Sequence, residues 1–331
     1  MKYRKLGRTG LFVSEICLGT MTYGDQVDET AAINIIETAL ADGVNFIDTA
    51  DLYVNGRSEE IVGKALKTKR NSVVLATKVG SWRSGPGVNN IGLSRKHILE
   101  GIEGSLRRLD TDYIDIYYAH VPDSATPIDE TLRAMDDLIH QGKVRYIGCS
   151  NFLVWQLCKA LWVSDLNHLA RFDCMQPVYN LITRDIDDEM LTLCSREEIG
   201  VCTFSPLAAG LLTGKHDINK PPAEGTRFSN ERLGKIYTKR FWTASNFEAV
   251  ARLKEITQIY GRSMPQFALA WILNNTVITS VICGANSIRQ LEENLKATEV
   301  KLTEEELTAC DEVWHQLRPP RFSYASQQLI R

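Results

Sequence analysis

Leu18-Gly19-Thr20-Met21-Thr22-Tyr23-Gly24 is the stretch on which the fold of this 331-residue chain turns. It closes the first apolar run, Glu15–Thr20, and leads towards the first helical stretch. An open, doubly wound sheet that holds a dinucleotide carries G-x-G-x-x-G at this first strand-to-helix turn, because those glycines let the backbone close on the pyrophosphate. Here the glycines stand at 19 and 24 only, so that spacing is absent. The competing architecture is a closed (β/α)8 TIM barrel, which requires eight strand-and-helix repeats.

The rest of the chain supplies them. Short apolar, β-branched runs recur at Glu15–Thr20, Asn45–Ala50, Ser72–Val79, Tyr113–His120, Val144–Ser150, Phe172–Val178, Gly200–Ser205 and Ile278–Gly284. Stretches of helical spacing follow most of them, near Glu29–Asp42, Ser58–Lys67, Ser94–Leu109, Asp129–Gln141, Leu153–Leu161, Asp187–Arg196, Phe247–Tyr260 and Ile288–Ala297. Ser58-Glu59-Glu60 reads as a helix start, with Ser58 as the cap and two acids in the first turn. Gly43, Gly142, Gly200 and Gly261 read as glycines just past helix ends. The repeat predicts one α/β barrel domain over 1–331, with an N-terminal hairpin at Tyr3–Val13 and an extra C-terminal helix in the tail from Thr303. A long loop, Ala208 to about Ala244, is functional or mobile by its length, and reads as a belt over a cofactor.

Composition narrows the function classes. The chain is 44% hydrophobic and 24% charged with a net charge of −3, an ordinary globular balance without a dense block of Lys and Arg. Nucleic acid and anionic membranes are therefore not expected partners, and small molecules are. The eight cysteines, at 17, 149, 158, 174, 194, 202, 283 and 310, form no C-x-x-C pair and read mostly as buried, reduced thiols. No apolar run approaches membrane-spanning length, and no leader follows Met1, so a cytoplasmic location is expected. His97, His140, His168, His216 and His315 read as surface or loop residues without metal-ligand spacing, and no metal is expected. Glu304-Glu305-Glu306 reads as a solvated helix start.

In a (β/α)8 barrel the active site forms at the carboxyl ends of the strands. Asp48 ends the second strand, with Tyr53 in the loop beyond it; Lys78 stands near the end of the third and His120 at the end of the fourth. Reduction of a carbonyl by a nicotinamide needs a hydride at carbon and a proton at oxygen. Tyr53 offers the proton, Lys78 eases its release, Asp48 orients and balances the lysine, and His120 holds the carbonyl oxygen. Taken singly, Asp48 reads as a strand-end cap, Lys78 as a solvent-facing charge and Tyr53 as a loop aromatic. Four such types in order at the expected barrel ends favour the catalytic reading.

Phe46-Ile47-Asp48-Thr49-Ala50 with Tyr53, Ser58-Glu59, Ala76-Thr77-Lys78, His120 before Pro122-Asp123, and Gly148-Cys149-Ser150-Asn151-Phe152 resemble the signatures of the aldo-keto reductases. The likeness runs in order through Gly284–Asn294, nearly the whole chain. It implies a (β/α)8 barrel that binds NADPH extended, without a Rossmann motif, and a catalytic tetrad of Asp48, Tyr53, Lys78 and His120. It further implies that Ser150, Asn151 and Gln176 hold the nicotinamide carboxamide and that Phe204 stacks on the ring. Ser205, Pro206, Leu207, Gly210 and Lys215 approach the pyrophosphate; Gly284, Ser287, Arg289, Gln290, Glu293 and Asn294 grip the adenosine half. Gln290 stands where some relatives carry Arg, which leaves NADH possible beside NADPH. Tyr23 and Trp82 are expected to line the pocket for a small-molecule carbonyl substrate, whose identity and the oligomeric state stay open.

Two readings compete with the reductase. Some members of that family act chiefly as channel-associated partners, which makes a nucleotide-sensing regulatory subunit of the same fold the alternative. A lyase or aldolase using Lys78 as a Schiff base is the third, and Tyr53 with the cofactor-like loop argues against it.

Overall fold

The computed structural model describes residues 1–81, 87–231 and 233–318. Strands β1 (Tyr3–Lys5) and β2 (Phe12–Ser14) form an antiparallel hairpin with Arg4 opposite Val13. Eight parallel strands then close on themselves: β3 (Ile16–Gly19), β4 (Phe46–Asp48), β5 (Val74–Val79), β6 (Ile114–Ala119), β7 (Val144–Ser150), β8 (Phe172–Gln176), β9 (Gly200–Thr203) and β10 (Ile278–Gly284), with β10 pairing both β9 and β3. This is the (β/α)8 barrel that the turn at 18–24 favoured.

Around it lie α1 (Glu29–Ala41), α2 (Arg57–Leu66), α3 (Arg95–Leu109), α4 (Ile128–His140), α5 (Val154–Asn167), α6 (Met190–Arg196), α7 (Gly234–Phe241), α8 (Ala244–Ile259), α9 (Met264–Asn274), α10 (Ile288–Lys296) and α11 (Glu304–Leu317). Helix α1 illustrates why they form. Asp28 caps it by accepting from the Ala31 N–H at 3.0 Å, and Ala32, Ile35, Ile36 and Ala39 put one apolar face on the barrel. None of the described helices is long and apolar enough to cross a membrane.

Strand parity sorts the core into two clusters. Ile47, Leu75, Ile147 and Val201 face outward into the helix layer, while Phe46, Val74, Ala76, Ile116, Tyr118, Cys174 and Cys202 fill the lumen. Leu6 and Val13 of the hairpin segment belong to the lumen cluster and plug the amino-terminal end. Gly148 lies among these inward positions because a Cβ there would meet the Tyr118 ring at 2.6 Å.

Several local readings need correction. Gly56, left-handed at φ 89°, starts α2 in place of Ser58, which is the buried second residue of the helix and donates to the Thr20 carbonyl at 2.8 Å. Gly200 begins β9 rather than closing a helix, since a Cβ there would meet Leu6 at 2.6 Å; Glu198 takes the left-handed position. Helix α5 runs to Asn167, six residues past the expected Leu161. Helix α9 has no counterpart in the sequence reading: eight of its eleven residues are buried, so no polar stripe marks its period. Glu306 is fully buried, closing a capping box with Thr303 and pairing with Arg262 at 2.5 Å, while Glu304 and Glu305 are solvated as expected. His97 is buried in α3 and is not a surface or loop residue, whereas His216 lies in a loop as expected, packed edge-on against Phe228 and Trp242. Seven of the eight cysteines are buried and all are free thiols, with Cys158 exposed.

Candidate active site

The inward parity of the strands continues into their carboxyl ends. Asp48 follows Phe46 at spacing two, Lys78 follows Ala76, His120 follows Tyr118, Gln176 follows Cys174 and Phe204 follows Cys202, so a ring of polar and aromatic groups caps the apolar lumen. Lys78 is fully buried and its ammonium has three acceptors: the Asp48 carboxylate, the Thr49 carbonyl at 2.7 Å and the Tyr53 hydroxyl oxygen at 3.3 Å. Three donors meet three acceptors, so the charged form of the lysine is fully satisfied. The second Asp48 oxygen accepts from Gln176 Nε2 at 2.8 Å.

The electrostatics follow from that burial. Burial alone would lower the Lys78 pKa, but Asp48 and Tyr53 outweigh it and raise the value. Burial raises Asp48 against the opposing pull of Lys78 and Gln176. Burial also raises Tyr53: the Lys78 charge does ease release of its proton, as expected, yet the net shift is upward, aided by Asp48. His120 is held well below the ordinary histidine range, by burial first and by the Lys78 charge second, and so stays neutral. Its ring stands edge-on to Tyr53 with centroids 6.1 Å apart. Tyr53 is followed by Val54 and Asn55 in left-handed backbone, at φ 49° and 55°, a conformation a β-branched residue adopts only when its surroundings hold it.

Asp48, Tyr53 and His120 open onto a cavity of about 490 Å³. Asn151, Gln176, Phe204, Ser205, Pro206 and Gly284 also line it. Ser150 stands behind that wall: it is buried, donates to the Gln176 carbonyl at 2.7 Å and accepts from Asn151 Nδ2 at 3.0 Å, so it steadies Gln176 and Asn151 instead of facing the cavity. Tyr23, expected on the wall, is fully buried among core residues away from it, and its place is taken by Met21. Trp82 lies outside the described residues. Sequence reading missed Arg227, Tyr237 and Arg240, all on this wall. The available signal was the helical spacing of Leu233, Ile236, Tyr237 and Arg240 inside the segment read as loop.

A second cavity, about 570 Å³, adjoins the first and shares Ser205, Pro206, Arg227 and Gly284 with it. Leu207, Gly210, Lys215, Ser287, Arg289, Gln290, Glu293 and Asn294 complete the set expected there. The start of α10 faces this groove. Ser287 caps it by accepting from the Gln290 N–H at 3.3 Å, while Gln290 reaches back to accept from the Asn286 N–H at 2.9 Å. Lys215, Arg227 and Arg289 have no carboxylate partner among the described residues, and the one acid in the wall, Glu293, accepts from Ser263 at 2.6 Å. Three free cations and a helix N-terminus suit an elongated polyanion.

Comparison with known proteins finds relatives over most of the chain. The chain is 41% identical over 305 residues to a probable voltage-gated potassium channel subunit beta of Arabidopsis thaliana, covering 91% of this chain and 92% of that one. A protein of the same description from Oryza sativa subsp. japonica is 42% identical over 305 residues, with the same coverage. The model of the aldo/keto reductase family matches residues 15–315, from the foot of β3 into α11, and the chain belongs to that family.

Proposed function

We propose that this protein reduces an aldehyde or ketone to the alcohol, reversibly, with NADPH as the reductant. The observation that carries the reading is the third hydrogen bond of Lys78. Because Tyr53 accepts from the ammonium, its own proton is left to point into the cavity. Tyr53 then gives that proton to the carbonyl oxygen as negative charge grows there, and the fixed Lys78 charge stabilises the phenolate that remains. Neutral His120 holds the same oxygen by a hydrogen bond, and Asp48, fixed by Gln176, keeps Lys78 aimed. Bound in the adjoining groove, NADPH supplies the hydride. Lys215, Arg227, Arg289 and the start of α10 bind its phosphates, Asn151 and Gln176 its carboxamide, and Phe204 stacks against the ring. With Gln290 engaged in the cap, NADH remains an accepted substitute. A Schiff base on Lys78 is disfavoured, since its nitrogen is a satisfied ammonium. The buried free thiols fit a reducing cytoplasm.

The test follows NADPH absorbance across a panel of aldehydes and ketones. Tyr53→Phe should lower turnover by about 10²–10⁴-fold while NADPH binding, read by fluorescence, persists; unchanged turnover would overturn the assignment. A second reading rests on the description shared by the two plant relatives: a subunit partnering a potassium channel, with the nucleotide as the sensed ligand. It predicts tight NADPH binding with no turnover on the panel and co-purification with a channel. An intact tetrad allows one protein to do both.

A further inference from the structure

Helix α7 helps to line the cavity that Tyr53 opens onto, and its charge is one-sided. Its eight residues carry Lys235, Lys239 and Arg240 and no acid. Leu233, Ile236, Tyr237 and Arg240, spaced three, four and seven apart, share one helical face, and all four line the cavity. Tyr237 lies near enough to Tyr53 that its charge would oppose ionisation there, and its hydroxyl approaches the Met21 sulfur at 3.9 Å. Arg240 stands about one turn further along the same face. The wall of the same cavity also carries the apolar side chains of Met21, Leu52, Val121 and Ile236.

Arg240 is exposed to solvent on this wall, so its charge is open to an incoming anion. Asp48 is the only carboxylate among the described residues lining this cavity, and it is held by Lys78 and Gln176. No described carboxylate pairs with Arg240. A cation in the last turn favours the helix dipole, which accounts for Lys239 but does not require an arginine on the cavity face. Nor does Arg240 serve the groove: Arg227 lines both cavities, whereas Arg240 lines only the one containing Tyr53.

Building on the reductase reading, we propose that the substrate is an anionic carbonyl compound, in which an apolar spacer joins the reacting aldehyde or ketone to a carboxylate that pairs with Arg240. Hydride from NADPH reaches the carbonyl carbon and the Tyr53 proton its oxygen. The carboxylate is unchanged in the product, a hydroxy acid. A guanidinium presents its donors as a planar fork that matches a carboxylate, and the cations of α7 draw an anion towards the mouth.

The experiment compares 4-carboxybenzaldehyde with its neutral methyl ester on wild type, Arg240→Gln, Arg240→Lys and Tyr53→Phe. Wild type should favour the carboxylate by about tenfold in kcat/KM, the worth of one charge-assisted contact. Arg240→Gln should remove that preference through the KM of the carboxylate alone, Arg240→Lys should restore part of it, and added salt should shrink it in wild type. Tyr53→Phe should lose both substrates alike. Equal kcat/KM for the two aldehydes in wild type, or an equal fall for both in Arg240→Gln, would overturn the inference and leave the reductase reading standing. Should neither aldehyde turn over, the reductase reading falls instead. Calorimetric binding of 4-carboxybenzaldehyde to the NADP⁺-loaded protein then decides: binding lost in Arg240→Gln supports the anion site, and binding that is absent or unchanged refutes it.

Discussion

Lys78 has all three of its donors engaged and Asp48 has both oxygens filled, so neither can be changed alone without leaving the other stranded. Lys78→Met should destabilise the fold by about 3–5 kcal/mol, because it leaves a buried carboxylate without its cation. Urea titration checks this, and a loss below 1 kcal/mol would mean that Asp48 is protonated in the folded state. His120 gives a pH signature. Its folded pKa is depressed, so between that value and the free value of about 6.5 the unfolded chain holds the extra proton. The His120 contribution to stability is thus full above about pH 6.5 and is lost as pH falls below it, by at most about 1.4 kcal/mol per pH unit. Replacing His120 by Asn should flatten that part of the denaturation profile, and the wild-type rate should show no histidine step near neutrality. The grouping of Asp48, Tyr53, Lys78 and His120 was legible because four chemically unusual types recur at strand ends, where strand parity turns them to one mouth. Tyr23 was not, since a tyrosine in a loop carries no mark of whether its ring turns to the pocket or, as here, to the core.

Among elements, the barrel strands lie within two residues of the runs expected from sequence, because β-branched runs between glycines and charged helices leave little choice of register. Helices failed where packing overrides pattern. Helix α9 is buried on nearly every side, and only Ser263 and Pro265 at its start, the residue types that begin helices, marked it. Helix α7 was hidden by the prolines and glycines that precede it. At the other extreme, the Glu304–Glu306 run looked like a solvated start because charge alone does not reveal that Arg262 comes from another element to bury the third member. Glu306→Ala removes both this pair and the capping box, and should cost roughly 2–4 kcal/mol in thermal or urea unfolding. Glu305→Ala, at an exposed position one residue away, should cost under about 0.5 kcal/mol. Equal effects would contradict the burial assigned to Glu306.

Over the whole molecule the two ends of the barrel do separate work. The amino-terminal end is closed by Leu6 and Val13, the carboxyl end holds the candidate site, and the apolar layers of Phe46, Ala76, Tyr118 and Cys174 lie between. Leu6→Ala should therefore lower stability by about 2–5 kcal/mol with kcat unchanged in the folded fraction; a matching loss of kcat would show that the layers transmit strain to the mouth. The closed architecture was legible from one missing glycine motif and eight repeats, whereas the partition into two cavities was not, since their walls come from segments more than two hundred residues apart. Ser205, Pro206, Arg227 and Gly284 belong to both walls. Their occupants therefore share a boundary, and neither affinity is a property of one ligand alone. Thermodynamic linkage fixes the exchange: whatever factor a bound nucleotide adds to the hold on a carbonyl compound, the carbonyl compound must add to the hold on the nucleotide. Titrations run in either order should return the same factor, and the four shared residues are where a mutation would change it.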